Sequence, residues 1–283
     1  PTAAFAFAQT RSQLAEKSRQ VGFPLVIRPQ DSNLRLDGKK ALFIEDEDDL
    51  SRQLPHWPAR QKGLIIQKKA PGKRHNIYFG AQAGKMFRYL HAVILRTDMK
   101  DGSGLAVEGI TVEPDPKLQR FTATLVERLN YTGIGCAQYL VDDETGDISF
   151  LEINPRIAGN HAVPEYAGLN LSPILIDMAR NQPLNTRHLY GRTGVRYIWT
   201  YGDLLDGKNT WLRREIGSFA TVGRFLRAIC AGIRAHVHMS YVWYDPKPGI
   251  MSLLSLTPNW RRLISRLANK ERGTIRAQAG PPN

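Results

Sequence analysis

The sequence predicts an α+β protein with antiparallel sheets, followed by a basic, mainly helical C-terminal extension. Three observations carry that prediction. Residues 133–141 and 148–154 are apolar runs separated by Asp142-Asp143-Glu144-Thr145-Gly146-Asp147, a polar, glycine-containing stretch that reads as a hairpin loop. Residues 10–21 and 118–129 have the spacing of amphipathic helices, with Phe121, Leu125 and Leu129 four apart in the second. From Phe219 onward, apolar residues recur at helical spacing among arginines. The expected divisions are 1–67, 68–180 and 181–283.

In chain order, Thr10-Arg11-Ser12-Gln13 has capping-box spacing and starts a helix that Gly22 ends. Phe23-Pro24-Leu25-Val26-Ile27-Arg28-Pro29 reads as a short buried strand. The loop Gln30 to Gly38 holds a single glycine, and Lys39 and Lys40 precede a strand at Ala41 to Ile44. Those lysines either reach a phosphate or are solvated charge at a turn. The acids Asp46 to Asp49 open a helix near Leu50 to Leu54, where negative charge favours the N-terminus through the helix dipole. Leu64 to Lys69 is a strand, Ala70-Pro71-Gly72 a turn, and His75, Asn76 and Tyr78 begin an alternating strand. Met86 to Leu95 is another strand, ending at Arg96. Residues 195–205 are expected to form one or two strands around Arg196, Tyr197, Trp199 and Tyr201.

The chemistry concentrates in Phe150-Leu151-Glu152-Ile153-Asn154-Pro155-Arg156. Glu152 and Asn154 are two apart on a strand, so both point to one face, together with Ile148 and Phe150. A hairpin symmetric about Thr145 would set Gln138 opposite Glu152, with Cβ atoms about 5 Å apart. Three oxygen donors would then converge, as a hard cation such as Mg²⁺ requires, with phosphate oxygens or waters completing the shell. Arg156 can meet a phosphate or carboxylate with two parallel hydrogen bonds. Taken alone, Glu-x-Asn is also an ordinary surface pattern.

With its Asn-Pro-Arg and upstream Gln138, this segment resembles the metal-binding strand pair of the ATP-grasp superfamily. The resemblance covers about residues 10 to 180. It implies the ATP-grasp fold, two α+β lobes that grip ATP, and a carboxylate–amine ligase working through an acyl phosphate. It implies ATP and Mg²⁺ as cofactors, with Mn²⁺ as the alternative ion, and a small-molecule carboxylate and amine as substrates. Gln138, Glu152 and Asn154 would hold the metal. Arg28 stands where the family usually has a phosphate-binding lysine, and Lys39 or Lys40 would add charge. Gln67, Lys68 and Lys69 fall at the adenine-facing hinge, where Lys68 replaces the usual Glu. His75 would approach ribose or phosphate, or would be an ordinary surface or core histidine. Arg96 and Arg156 would face phosphate or the substrate carboxylate. His161, in Ile157-Ala158-Gly159-Asn160-His161, is either a proton carrier or a group bonded to its own loop. Relatives carry a domain before this region, so the resemblance implies a fragment, a split gene product, or a subunit that a separate partner subunit completes. Arg28 and the glycine-poor loop also leave room for a subunit that binds nucleotide and scaffolds a partner without turnover.

Composition sets outer bounds. Of 283 residues, 42% are hydrophobic and 23% charged, as in a folded, water-soluble domain. Two cysteines, Cys136 and Cys230, give no disulfide framework and fit a reducing, cytoplasmic setting. No run of about 18 apolar residues exists, so no spanning helix is expected, and Pro1 to Phe7 lacks the cationic flank of a signal peptide. Net charge is +13. Residues 181–283 hold sixteen Lys or Arg against five Asp or Glu, hence +11; the first 180 hold twenty-three against twenty-one, hence +2. In the tail, Phe219, Val222, Phe225, Leu226, Ile229, Cys230, Ile233 and Val237 make one stripe, with Arg224, Arg227, Arg234 and His238 largely outside it. Trp260, Leu263, Ile264 and Leu267 make a second. Either the stripes pack on the core, or the tail meets an anionic membrane or polymer surface. Nucleic acid is disfavoured, because no nucleic-acid motif is visible.

Overall fold

The computed structural model describes residues 1–31, 33–36, 41–56, 63–99, 104–212, 214 and 217–257. Lys39, Lys40 and the stripe at Trp260 to Leu267 lie outside the described residues. The chain divides into two compact units: Pro1–His75 with Ala137–Ile153, and Asn76–Cys136 with everything from Asn154 onward. This division interleaves the sequence, where three consecutive segments were expected.

The first unit opens with β1 (Phe5–Ala8), α1 (Arg11–Val21) and β2 (Leu25–Pro29). Local chemistry fixes the helix as the sequence indicates. The Thr10 side chain accepts from the Gln13 N–H at 3.2 Å, and Gly22, at φ 80°, ends α1 by donating to the Ser18 carbonyl. β3 (Leu42–Ile44), α2 (Glu47–Gln53) and β4 (Leu64–Lys68) follow. Asp46 caps α2 by accepting from the Asp49 N–H at 2.8 Å. The four strands form one antiparallel sheet in the order β1-β4-β2-β3. Its inner face buries Leu25, Ile27, Leu42, Ile44, Leu64 and Ile66 against Leu14 of α1 and Leu50 of α2. Alternation sends Val26, Arg28, Phe43, Ile65 and Gln67 to the other face.

β5 (Lys73–Gln82), β6 (Lys85–Thr97), β7 (Ala106–Val112), α3 (Pro116–Arg128), β8 (Gly133–Val141) and β9 (Ile148–Asn154) come next. The boundary between the units falls within β5, β8 and β9. Pro116 begins α3, where its missing N–H costs nothing, and Asp115 caps the Lys117 and Leu118 amides. After β9 come α4 (Ala162–Tyr166), α5 (Leu171–Ala179), β10 (Leu189–Tyr190), β11 (Arg196–Ile198), α6 (Thr200–Leu212), α7 (Ser218–Arg234), β12 (Val237–His238) and α8 (Lys247–Leu254). The larger sheet runs β12-β11-β7-β6-β5-β8-β9, with β10 paired to β6. β6 and β7, and β7 and β11, are antiparallel; the β10–β6 and β11–β12 pairs are parallel. The second unit's core includes Tyr78, Phe87, Leu90, Leu169, Leu171 and Tyr197.

Two features of the tail are settled by the fold. Residues 195–205 hold one short strand, and helix begins at Thr200. Aromatic residues at 197, 199 and 201 suggest strand by propensity, but Trp199 caps the strand by donating to the Val107 carbonyl and α6 starts directly after it. The apolar stripe of α7 is also not what packs. Ala228 and Thr221 are buried, while Phe219, Val222, Leu226, Ile229 and Ile233 are exposed; Val237 belongs to β12.

Two turn glycines test this description. Gly72 has φ 110°, and a Cβ there would overlap the Val141 carbonyl, whereas Gly146 has φ 72° and open space around it. Gly72→Ala should lower unfolding free energy by about 2–3 kcal/mol in urea titrations, and Gly146→Ala by only about 1 kcal/mol. Equal effects would show that backbone conformation alone matters at Gly72.

Candidate functional site

The hairpin closes one residue away from the symmetric position. The Asp142 N–H donates to the Asp147 carbonyl at 2.9 Å, and the Gly146 N–H donates to the Asp142 carbonyl at 2.9 Å. With Gly146 left-handed, Gly146 and Asp147 both oppose Asp142, as in a glycine bulge. Counted from the loop, Tyr139 aligns with Phe150, whose ring lies 5.6 Å away. Counted without interruption, the register sets Ala137, not Gln138, opposite Glu152. A shared face for Gln138 and Glu152 therefore requires a further bulge between these positions.

Glu152 and Asn154 do not depend on that register. They are alternate residues of β9, which ends the larger sheet, so its outer edge has no strand neighbour among the described strands. Glu152 is exposed and Asn154 half-buried. A carboxylate and an amide oxygen suit a hard cation that takes its remaining ligands from water or phosphate. Among the described residues, no three His, Cys, Asp or Glu side chains form a metal cluster. Arg156 follows, exposed, with one Nη donating to the Ile157 carbonyl at 3.0 Å.

In the first unit, Arg28 and Gln67 share a face. Val26 lies opposite Gln67 and Arg28 opposite Ile65 in the β2–β4 pair. The β1–β4 pair adds Phe5 opposite Gln67 and Phe7 opposite Ile65. Both phenylalanines are about half exposed, with rings edge-on at 5.6 Å. An aromatic and aliphatic surface beside an exposed guanidinium can accept a flat ring and a charged group together. Sequence reasoning passed over Phe5 and Phe7, although their alternation with Ala6 and Ala8 marks a two-faced strand.

Lys68 and Lys69 stand elsewhere. Lys68 pairs with Leu25 and its Nζ donates to the Phe23 carbonyl. Lys69 pairs with Glu45 at 2.8 Å and lies over the Phe43 ring. His75 is half-buried at the start of β5. In the second unit, His161 Nε2 lies 2.8 Å from Ser172 Oγ and 3.2 Å from Glu165, whose carboxylate accepts from the Leu171 and Ser172 amides. The Glu165 carboxylate thus caps α5, and the His161 ring meets the Ser172 and Glu165 side chains. Burial lowers the pKa of His91, whose Nδ1 lies 3.1 Å from the Glu113 carbonyl.

Arg96 is bonded within the second unit. Its Nε donates to Glu108 at 2.6 Å, and its two terminal nitrogens donate to the fully buried Asp203 at 3.1 and 2.7 Å. Arg224 of α7 adds contacts to Asp203 at 3.4 Å and Asp206 at 2.6 Å. Burial would lower the Arg96 pKa, but the hydrogen bonds and charges of Asp203 and Glu108 outweigh it and raise it. The guanidinium fork is consumed inside the protein, tying β6 and β7 to α6 and α7.

Comparison with known proteins agrees with this architecture. Residues 108–187 match the family model of the carbamoyl-phosphate synthase large chain ATP-binding domain. The structure resembles an N5-carboxyaminoimidazole ribonucleotide synthetase solved with ADP, at TM-score 0.55 and 19% identity, covering 76% of this chain and 56% of that one. The chain has the ATP-grasp fold. It also resembles the carboxyaminoimidazole ribonucleotide synthase of Aspergillus clavatus solved with ATP, at TM-score 0.54 and 16% identity, covering 69% and 51%. It is 28% identical over 214 residues to an acetyl-CoA carboxylase of Dictyostelium discoideum, 71% of this chain and 9% of that protein. It is 24% identical over 188 residues to the arginine-specific carbamoyl phosphate synthase large chain of Bacillus subtilis (strain 168), 65% and 17%. The chain thus spans less than a fifth of the length of these two curated relatives.

The ion-pair network generates a test. Asp203→Asn should lower unfolding free energy by about 3–5 kcal/mol, because Arg96 and Arg224 stay buried with too little countercharge. Arg96→Ala should destabilise too; lost turnover at an unchanged unfolding midpoint would return Arg96 to a ligand-facing role.

Proposed function

We infer that the chain binds ATP with Mg²⁺ and joins a carboxylate to an amine through an acyl phosphate. The observation that carries this reading is the Glu152 and Asn154 pair on one face of an edge strand, followed directly by the exposed Arg156. The ATP-grasp architecture and the match over residues 108–187 support it. Mg²⁺ would be held by Glu152 and Asn154, joined by Gln138 only where a further bulge turns it to their face, and would supply charge neutralisation on the phosphates. Arg28 and Gln67 would meet the nucleotide along the Phe5 and Phe7 face. Arg156 would hold phosphate or carboxylate oxygens by its fork.

In this reading a substrate carboxylate oxygen attacks the γ-phosphorus and ADP leaves. The amine nitrogen then attacks the acyl carbon, its proton passes to solvent, and phosphate leaves. Phosphoryl transfer asks the protein chiefly for positioning and charge stabilisation. The donor set supplies both without a nucleophilic side chain.

A second reading is a nucleotide-binding subunit that scaffolds a partner without turnover. Arg28 in place of lysine and the single glycine between Gln30 and Gly38 favour it. Phosphate release with panels of carboxylates, bicarbonate included, and amines separates the two. The ligase reading expects ATP-dependent release that falls on the order of 100-fold in Glu152→Ala. Gln138→Ala should cost less, given the register of the loop. ATP binding with no release on any pair, and partner binding unchanged in Glu152→Ala, would favour the scaffold.

A further inference from the structure

The second unit carries a surface that the proposed chemistry does not use. On α7, Phe219, Val222, Leu226, Ile229 and Ile233 form one stripe that faces outward, while Thr221 and Ala228 face inward. Phe219 is 96% exposed and Ile233 80%. Beyond β12, Trp243 and Tyr244 are 82% and 92% exposed. A cavity of about 530 Å³ joins these elements, its walls including Ile229 and Ile233 of the stripe, Trp243 and Leu253. An outward apolar stripe continuous with an apolar cavity is more than isolated exposed residues.

The charges around it have one sign. Arg227 and Arg234, seven residues apart, run along one flank of the stripe, and both are exposed. Among the described residues from Gly217 to Thr257, the exposed charges are Arg227, Arg234 and Lys247 against Asp245 alone. Of the five acids after residue 180, Asp203 and Asp206 are taken up by Arg96 and Arg224. The described residues hold no helix long and apolar enough to cross a membrane. A basic-flanked apolar helix with aromatic residues nearby fits the boundary between headgroups and acyl chains of an anionic bilayer.

We propose that the α7 face docks on an anionic lipid surface, with Phe219, Ile233 and Trp243 entering the acyl boundary and Arg227 and Arg234 meeting the headgroups. The test is sedimentation of the full chain with vesicles of phosphatidylcholine alone or mixed with phosphatidylglycerol. The chain should pellet with the mixed vesicles and less so as salt rises. Phe219→Asp combined with Ile233→Asp should abolish pelleting, and Arg227→Glu combined with Arg234→Glu should weaken it roughly tenfold or more. All four side chains are exposed, so folding serves as an internal control. No pelleting would overturn the proposal, as would equal pelleting on neutral vesicles or no change in the aspartate variant. Dimers in light scattering that the aspartate variant breaks, without vesicle binding, would assign the face to a second copy. Phosphate release is measured without lipid, so failure there leaves this test intact.

Discussion

The alternation of side chains along a pleated strand decides where the candidate ligand-binding groups on β2, β4 and β9 stand. On β2 it buries Leu25 and Ile27 and turns Arg28 outward. On β4 it sends Gln67 to the face of Arg28, and Lys68 to the position opposite the buried Leu25. On β9 it keeps Glu152 and Asn154 together. A shift of one residue reverses each of these assignments, so the register at the Asp142–Asp147 loop has consequences for Gln138 that no composition argument reaches.

Local signals were the legible ones. Thr10, Gly22 and Asp46 act on amides within a few residues, so their sequence context is also their structural context. The strands at 25–29, 64–68 and 148–154 follow from short apolar runs bounded by turn residues. The pair Glu152 and Asn154 was legible because a spacing of two needs no knowledge of a partner strand.

What escaped depends on distant residues. Arg96 meets Asp203 across 107 positions, and nothing near Arg96 marks it as part of a buried network. The resemblance puts Lys68 and Lys69 at the adenine-facing hinge, and their side chains meet the Phe23 carbonyl and Glu45. Periodicity shows which residues of α7 share a face; it does not show whether that face is covered. The glycine bulge at Gly146 changes register without changing the loop's polar character. Phe5 and Phe7 became informative only once β1 was seen to pair with β4 beside Gln67.

The central claim is that the chain binds ATP as its magnesium complex through Glu152 and Asn154. Calorimetric titration of ATP into the purified chain, with and without Mg²⁺, tests it most directly. The account predicts saturable binding with Mg²⁺ that weakens at least about tenfold when the ion is removed, and a Glu152→Ala variant indifferent to Mg²⁺. Absent binding, or an affinity unchanged by Mg²⁺ in the unmodified chain, would contradict it.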